Sequence, residues 1–227
     1  KMTTQEDVFN CAGWKALNRM GIFATMHHIF RQNYIDLEML LKRIHDDTNM
    51  SQETFQEQHI HLSQYIFNFL ASSTALTDHA RRLIGFYEKI DLHKEYQQKI
   101  KESFADNKLA QFIHKLRNYQ THYQLEFPYP VRSLDDNKSW DVVFVSNDFL
   151  KHPEQWNVLS KQFIEESGQE INLNKIFAEY SKLIDTFYMW LYTELQIYHQ
   201  KDFEKREKLI KESGMEIPYI PLNQPMT

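Results

Sequence analysis

Cysteine is nearly missing from this chain. Cys11 stands alone among 227 residues, which excludes an intrachain disulfide framework and a cysteine-rich zinc site. Glycine (5) and proline (6) are also scarce, so few positions break a helix, and long helices are favoured over a sheet-rich fold. No apolar run approaches the roughly 20 residues of a membrane span. The first residues lack the charged-then-apolar layout of a secretory leader, so a cytoplasmic protein that does not enter a membrane is expected. A basic excess is missing too. The formal net charge is -5, whereas nonspecific coating of nucleic acid rests on many neutralised phosphates. Any nucleic-acid role must therefore rest on a local site.

Aromatic residues are plentiful, with 16 Phe, 12 Tyr and 4 Trp, and 42% of the chain is apolar. That suffices for a substantial core at this length. Helical spacing of Leu37, Leu40, Leu41 and Ile44 predicts a helix over about 34–46, while residues 1–30 leave the choice open. Ser51 opens a long helix that runs to about residue 89, and a third covers about 92–104. Asp106-Asn107 can cap a helix over about 108–124, which Phe127-Pro128-Tyr129-Pro130 ends. A hairpin is expected over about 131–146, with Asp135-Asp136-Asn137-Lys138 as its turn. Helices follow over about 154–166 and from Leu173 to about Ser213, stopped by Gly214. The tail from Ile217 to Thr227 reads as extended. The expectation is an all-α chain, a single domain over 1–227, with a bundle core over about 34–124, a small β-hairpin insertion and long C-terminal helices over about 154–213.

The helix over 108–124 carries the most chemistry. Leu109, Phe112, Ile113, Leu116, Tyr119 and Tyr123 share one face, the face expected to meet the core. Asn118 and His122 are four apart and lie roughly opposite it. Arg117 is about 140° from His122 around the axis, so only its long side chain can bring the guanidinium to the same ligand. From Lys108 to Gln124 there are three basic residues, two histidines and no Asp or Glu. Arginine offers a planar fork that grips phosphate oxygens, and histidine exchanges protons near neutral pH.

Arg117-Asn118-Tyr119-Gln120-Thr121-His122, set in a late helix of a helical bundle, resembles the hallmark of the HEPN superfamily. That hallmark is an Arg followed by four to six residues and a His, often with a polar residue directly after the Arg. The resemblance securely covers about residues 105–125, and loosely the helices from 34 to 124. It implies a homodimer whose motif helices form one composite cleft. It also implies metal-independent endoribonuclease activity, typical of toxin–antitoxin, phage-defence or RNA-processing settings. Carried over by position, Arg117 binds the scissile phosphate, Asn118 positions it and His122 transfers a proton. Attack by the 2′-OH then leaves a 2′,3′-cyclic phosphate and a 5′-OH. RNA, a second copy and an antitoxin or regulatory protein are the implied partners; no cofactor and no metal are expected. The rival expectation is a noncatalytic helical interaction or regulatory scaffold that holds a partner with its C-terminal helices and tail.

Other features read more plainly. His27-His28 and the pair His59 and His61 lack the four-apart spacing of a helical metal pair. Asp78-His79 with Arg81-Arg82 suits a solvated face that can also border an RNA path. Tyr119 and Tyr123 can stack on bases, but their place on the apolar stripe favours core packing. Phe127, Tyr129 and Trp140 suit either a groove or packing of the hairpin on the bundle. The balanced charges from Lys201 to Glu212 suit an exposed or coiled-coil-like helix.

Overall fold

The computed structural model describes residues 3–49, 51–88, 90–133 and 139–216. A short helix α1 (Gln5–Asn10) opens with a capping box in which Thr4 and Asp7 exchange hydrogen bonds. Two long helices follow, α2 (Ala12–Asp46) and α3 (Gln52–Ile84). At 35 residues α2 is about 52 Å long and takes in most of the segment that the sequence leaves open. Ser51 caps α3 as expected, its hydroxyl accepting from the Thr54 amide. The short link between them folds α2 and α3 into a helical hairpin, whose inner faces include Phe23, Phe30, Leu37, Leu62, Ile66 and Phe69.

A 3₁₀ turn (Gly85–Tyr87) leads to α4 (Asp91–Ile100), a π turn (Lys101–Ala105) and then α5 (Lys108–His122). The expected hairpin is one part of a three-stranded antiparallel sheet in the order β1 (Tyr129–Arg132), β2 (Trp140–Val145), β3 (Glu170–Asn172). Tyr129 faces Val143 across the first pair, and Val145 faces Glu170 across the second. The turn expected at 135–138 lies outside the described residues. Between β2 and β3 come α6 (Ser146–Leu150), a 3₁₀ turn (Pro153–Gln155) and α7 (Val158–Glu166), so the helix expected from 154 starts later. Asn157 sets that start by accepting from the Ser160 amide. Gly168, at φ 78°, makes the reversal into β3.

The C-terminal helix is two helices, α8 (Leu173–Tyr198) and α9 (Gln200–Ser213), divided at His199. Neither Gly nor Pro divides them. His199 instead bridges Tyr87 Oη at 2.8 Å and Asp202 Oδ2 at 2.8 Å. One side of α8 is buried from Leu173 to Leu195, and its aromatic rings meet those of α2, α3 and α4. α9 has no buried residue and lies along α1 and the start of α2, where Arg206 sits over the Trp14 ring. Gly214, in the left-handed region, ends it as expected, and the tail from Ile217 lies outside the described residues. The fold is therefore a helical bundle with a small sheet. Its apolar core runs from Met20 to Leu195, drawing on more of the chain than the 34–124 stretch.

Candidate functional site

α5 is fixed at its start before it presents anything. Asn107 Oδ1 accepts from the Ala110 amide at 2.9 Å, the cap expected from the sequence. Gln111 donates to the Phe104 carbonyl at 3.0 Å and receives Asn157 Nδ2 at 2.7 Å, so the first turns are tied to the π turn and to α7. Phe112 stacks on Trp156 and Phe163, and Tyr119 lies against Phe149 and Trp156. Phe112, Ile113, Leu116 and Tyr119 are all buried, so the opposite face is held at a set orientation.

On that face Arg117 Nη1 donates to Asn118 Oδ1 at 3.0 Å, and Thr121 Oγ1 donates to the Arg117 carbonyl at 2.7 Å. The long side chain of Arg117 thus closes the angular gap towards Asn118. His122 is the last helical residue and is exposed. Among the described residues no side-chain hydrogen bond reaches it. The structure therefore brings Arg117 and Asn118 together and sets His122 free at the next turn, one rise of about 6 Å beyond Asn118.

α5 ends two residues sooner than the expected Gln124. Tyr123 leaves helical geometry at φ -124° and ψ -72°, and the amides of Tyr123 and Gln124 both bond the Tyr119 carbonyl. This overturns core packing for Tyr123, which is 47% exposed, while Tyr119 is buried as expected. Tyr123 Oη meets His152 Nδ1 at 2.6 Å, and Tyr119 Oη donates to Glu126 at 3.2 Å. Loss of hydration and then the Glu126 carboxylate raise the Tyr119 hydroxyl above its ordinary range. Loss of hydration likewise raises Glu126. This network beside the motif has no signal in the sequence, because His152 enters from beyond the sheet.

The positive island is reshaped. Lys108 is neutralised by Glu166 at 2.5 Å. Lys115 and Arg117 pair with no carboxylate among the described residues, and Arg81 of α3 joins them, although it also reaches Asp78 at 3.5 Å. His114 reports this cluster. Its imidazole is lowered below the ordinary value first by loss of hydration, although the residue is exposed, and then by Lys115, Arg81 and Arg117. The Arg81 side of α3 thus borders α5.

Elsewhere, His27 bonds Asp185 at 2.7 Å with Arg31 beside it, a tie between α2 and α8. His45 Nδ1 donates to the Trp140 carbonyl at 3.0 Å and pins the end of α2 to β2. Trp140 takes Arg132 over its ring at 3.9 Å, and Tyr129 Oη donates to Glu170 at 3.3 Å, so both serve the sheet. Phe127, by contrast, is 54% exposed beside His59. Among the described residues there is no group of three His, Cys, Asp or Glu able to hold a metal ion, and no helix long and apolar enough to cross a membrane.

Comparison with protein-family models, with curated proteins and with solved structures finds no match to this chain.

Proposed function

We propose that the chain is a metal-independent endoribonuclease acting through Arg117, Asn118 and His122. What supports this reading most is the Arg117–Asn118 hydrogen bond on the outward face of α5, one turn from an exposed His122 that makes no side-chain hydrogen bond among the described residues. A guanidinium held by a neighbouring carboxamide keeps most of its donors for a phosphate. The cations Lys115 and Arg81 around it draw a polyanion to this face of an acidic protein.

In the proposed reaction the ribose 2′-oxygen attacks the adjacent phosphorus while the bond to the 5′-oxygen breaks. One imidazole takes the 2′ proton and a second supplies a proton to the leaving 5′-oxygen. Arg117 neutralises the charge that builds on the phosphoryl oxygens, and Asn118 orients the group. The products are a 2′,3′-cyclic phosphate and a 5′-OH end. A toxin or defence setting, with an antitoxin or regulatory protein as partner, belongs to the same proposal.

The test is cleavage of a mixed set of labelled structured and single-stranded RNAs in EDTA. Wild type should leave cyclic-phosphate ends. His122→Ala and Arg117→Ala should each lose on the order of 10²–10⁴-fold in rate. Equal cleavage by all three proteins places the activity elsewhere. No cleavage by wild type across the set favours the second reading, a noncatalytic interaction scaffold. That reading has its own support in the charge-balanced α9, which has no buried residue, and in the exposed apolar side chains of α3.

A further inference from the structure

Between α2 and α8 lies a cavity of about 540 Å³, and no described residue of α5 lines it. Its size is ordinary for a small-molecule site. His27 bonds Asp185 and Phe23 meets Tyr188, so the two helices run antiparallel. Asn174 lies as far before Asp185 in α8 as Glu38 lies after His27 in α2. That sets it across the cavity from the turn Glu38–Lys42.

The cavity floor is apolar, formed by the buried Leu41 and Phe177, while Glu38 and Lys42 stand exposed at its rim. A Glu four residues before a Lys is the favoured order for an ion pair along a helix. Among the described residues that pair is not made. Glu38 Oε1 accepts instead from the Tyr34 hydroxyl at 2.7 Å. Loss of hydration and then Glu38 raise this hydroxyl above its ordinary range, so it remains the donor. Glu38 thus keeps one carboxylate oxygen, and Lys42 its ammonium protons, for another group. Across from them Asn174 Oδ1 is buried with no hydrogen-bond partner among the described residues. A buried acceptor left in this way is a cost that a ligand's donor removes.

We infer that this cavity holds a small zwitterion with an apolar body, the chemistry of a free apolar α-amino acid. The ammonium meets Glu38, and a turn of the Asn174 carboxamide gives it a second acceptor. The carboxylate meets Lys42, about 6 Å further along α2, and the side chain lies on Leu41 and Phe177. His45 closes that end of the cavity, held to the sheet by its bond to the Trp140 carbonyl.

The balance of charge selects this class over its neighbours. Glu38 and Lys42 are the only Asp, Glu, Lys or Arg among the described lining residues, and their charges cancel. A phosphate-bearing ligand would meet the Glu38 carboxylate, and a simple amine would meet the Lys42 ammonium. Each is a contact of like charge. A zwitterion avoids both and bridges the two side chains that do not pair with one another. None of this depends on the ribonuclease reading.

Isothermal titration calorimetry and thermal melts of the full chain test this, with L-leucine, L-phenylalanine and L-methionine as probes. Two trimmed forms of leucine are the controls: 4-methylpentanoate, which lacks the ammonium, and 3-methylbutylamine, which lacks the carboxylate. At least one amino acid should bind with a Kd on the order of 0.1 mM, and about 10 mM of it should raise Tm by about 5–10 °C. Each trimmed compound should bind about tenfold or more weakly than leucine. Glu38→Gln and Lys42→Met, both at exposed positions, should keep the wild-type circular dichroism and lose about tenfold or more in affinity. No heat and no Tm shift with any of the three amino acids at about 10 mM overturns the inference. Binding that both variants leave unchanged also overturns it, because the ligand then sits elsewhere. A trimmed compound that binds as well as leucine does the same, since the cavity then takes one charge alone. Adenosine monophosphate that binds more tightly than the amino acids, and is lost in Lys42→Met, replaces the zwitterion with a nucleotide and overturns it too.

Discussion

Gly13 and Gly21 sit two turns apart on α2, and the structure gives alanine opposite consequences at the two. A Cβ at Gly13 would lie 2.2 Å from the Asp202 carbonyl oxygen, 2.8 Å from its carbon and 3.0 Å from Arg206 Cβ. The obstacle is α9 backbone, so no rotamer change relieves it. Restoring ordinary contact requires α9 to retreat by about 1 Å, into the range where dispersion contacts are weakened. Overpacking of this kind costs about 1–3 kcal/mol. The retreat also pulls on the His199–Asp202 hydrogen bond, a contribution of about 1 kcal/mol. Alanine's helix preference returns at most about 1 kcal/mol, less in a first turn. The net loss for Gly13→Ala is about 2 kcal/mol, a fall in Tm of about 4–8 °C for a chain of this size. At Gly21 a Cβ meets nothing within 4 Å, so Gly21→Ala should gain up to about 1 kcal/mol from the same preference. Thermal melts followed by circular dichroism measure both. Hydrogen exchange should also show faster exchange over 199–213 in Gly13→Ala alone. Gly13→Ala that melts at or above wild type, with α9 exchange unchanged, would falsify the close packing of α9 on α2.

Two further outcomes are expected. Glu126 has a carboxyl raised by loss of hydration, so the folded chain holds its proton more tightly than the unfolded chain. That stabilising contribution is full below the ordinary carboxylate value and is lost as pH rises through the raised one. Glu126→Gln should therefore melt above wild type at pH 7.5, with the gap closing towards pH 4; a gap independent of pH refutes this. Asn107→Ala removes the side-chain cap of α5 and should cost about 1 kcal/mol, or about 2–4 °C in Tm. Asn107→Ser should restore most of it, and an unchanged melt for Asn107→Ala would show that the tie through Gln111 suffices.

The motif helix was the most legible element, because its signals are local. Asn107 caps it and its apolar residues recur at helical spacing, although it ends at His122, five residues before the Phe127-Pro128 stop that the sequence suggests. What escaped depends on residues distant in the chain. The divide at His199 carries no breaker; it is made by Tyr87, more than 100 residues earlier, and by Asp202. β3 is three residues long, too short to show a period, and exists because β2 offers an edge. Tyr123 was misplaced by carrying the stripe past the point where the backbone leaves the helix. At the site, the outward placing of Asn118 and His122 could be read from the angle around the helix. The arrival of Arg81 and the Tyr123–His152 contact could not, since α3 and the segment after β2 are brought there only by the fold.

The π turn at Lys101–Ala105, followed by the Asn107 cap, has a consequence for how this chain can change in length. The Asp106 amide reaches back to the Lys101 carbonyl, closing one wide turn, and α5 then starts afresh from Asn107 rather than continuing α4. The rotational phase of α5 is therefore set at Asn107. A residue gained or lost between 101 and 106 changes the joint and leaves the facing of Arg117 and His122 intact. The same single-residue change between Ile113 and Leu116 would turn Arg117, His122 and the buried Leu116 and Tyr119 together by about 100° against Leu109, Phe112 and Ile113, splitting the apolar stripe and carrying the motif off its face. Length variation is thus absorbed before the cap and excluded after it.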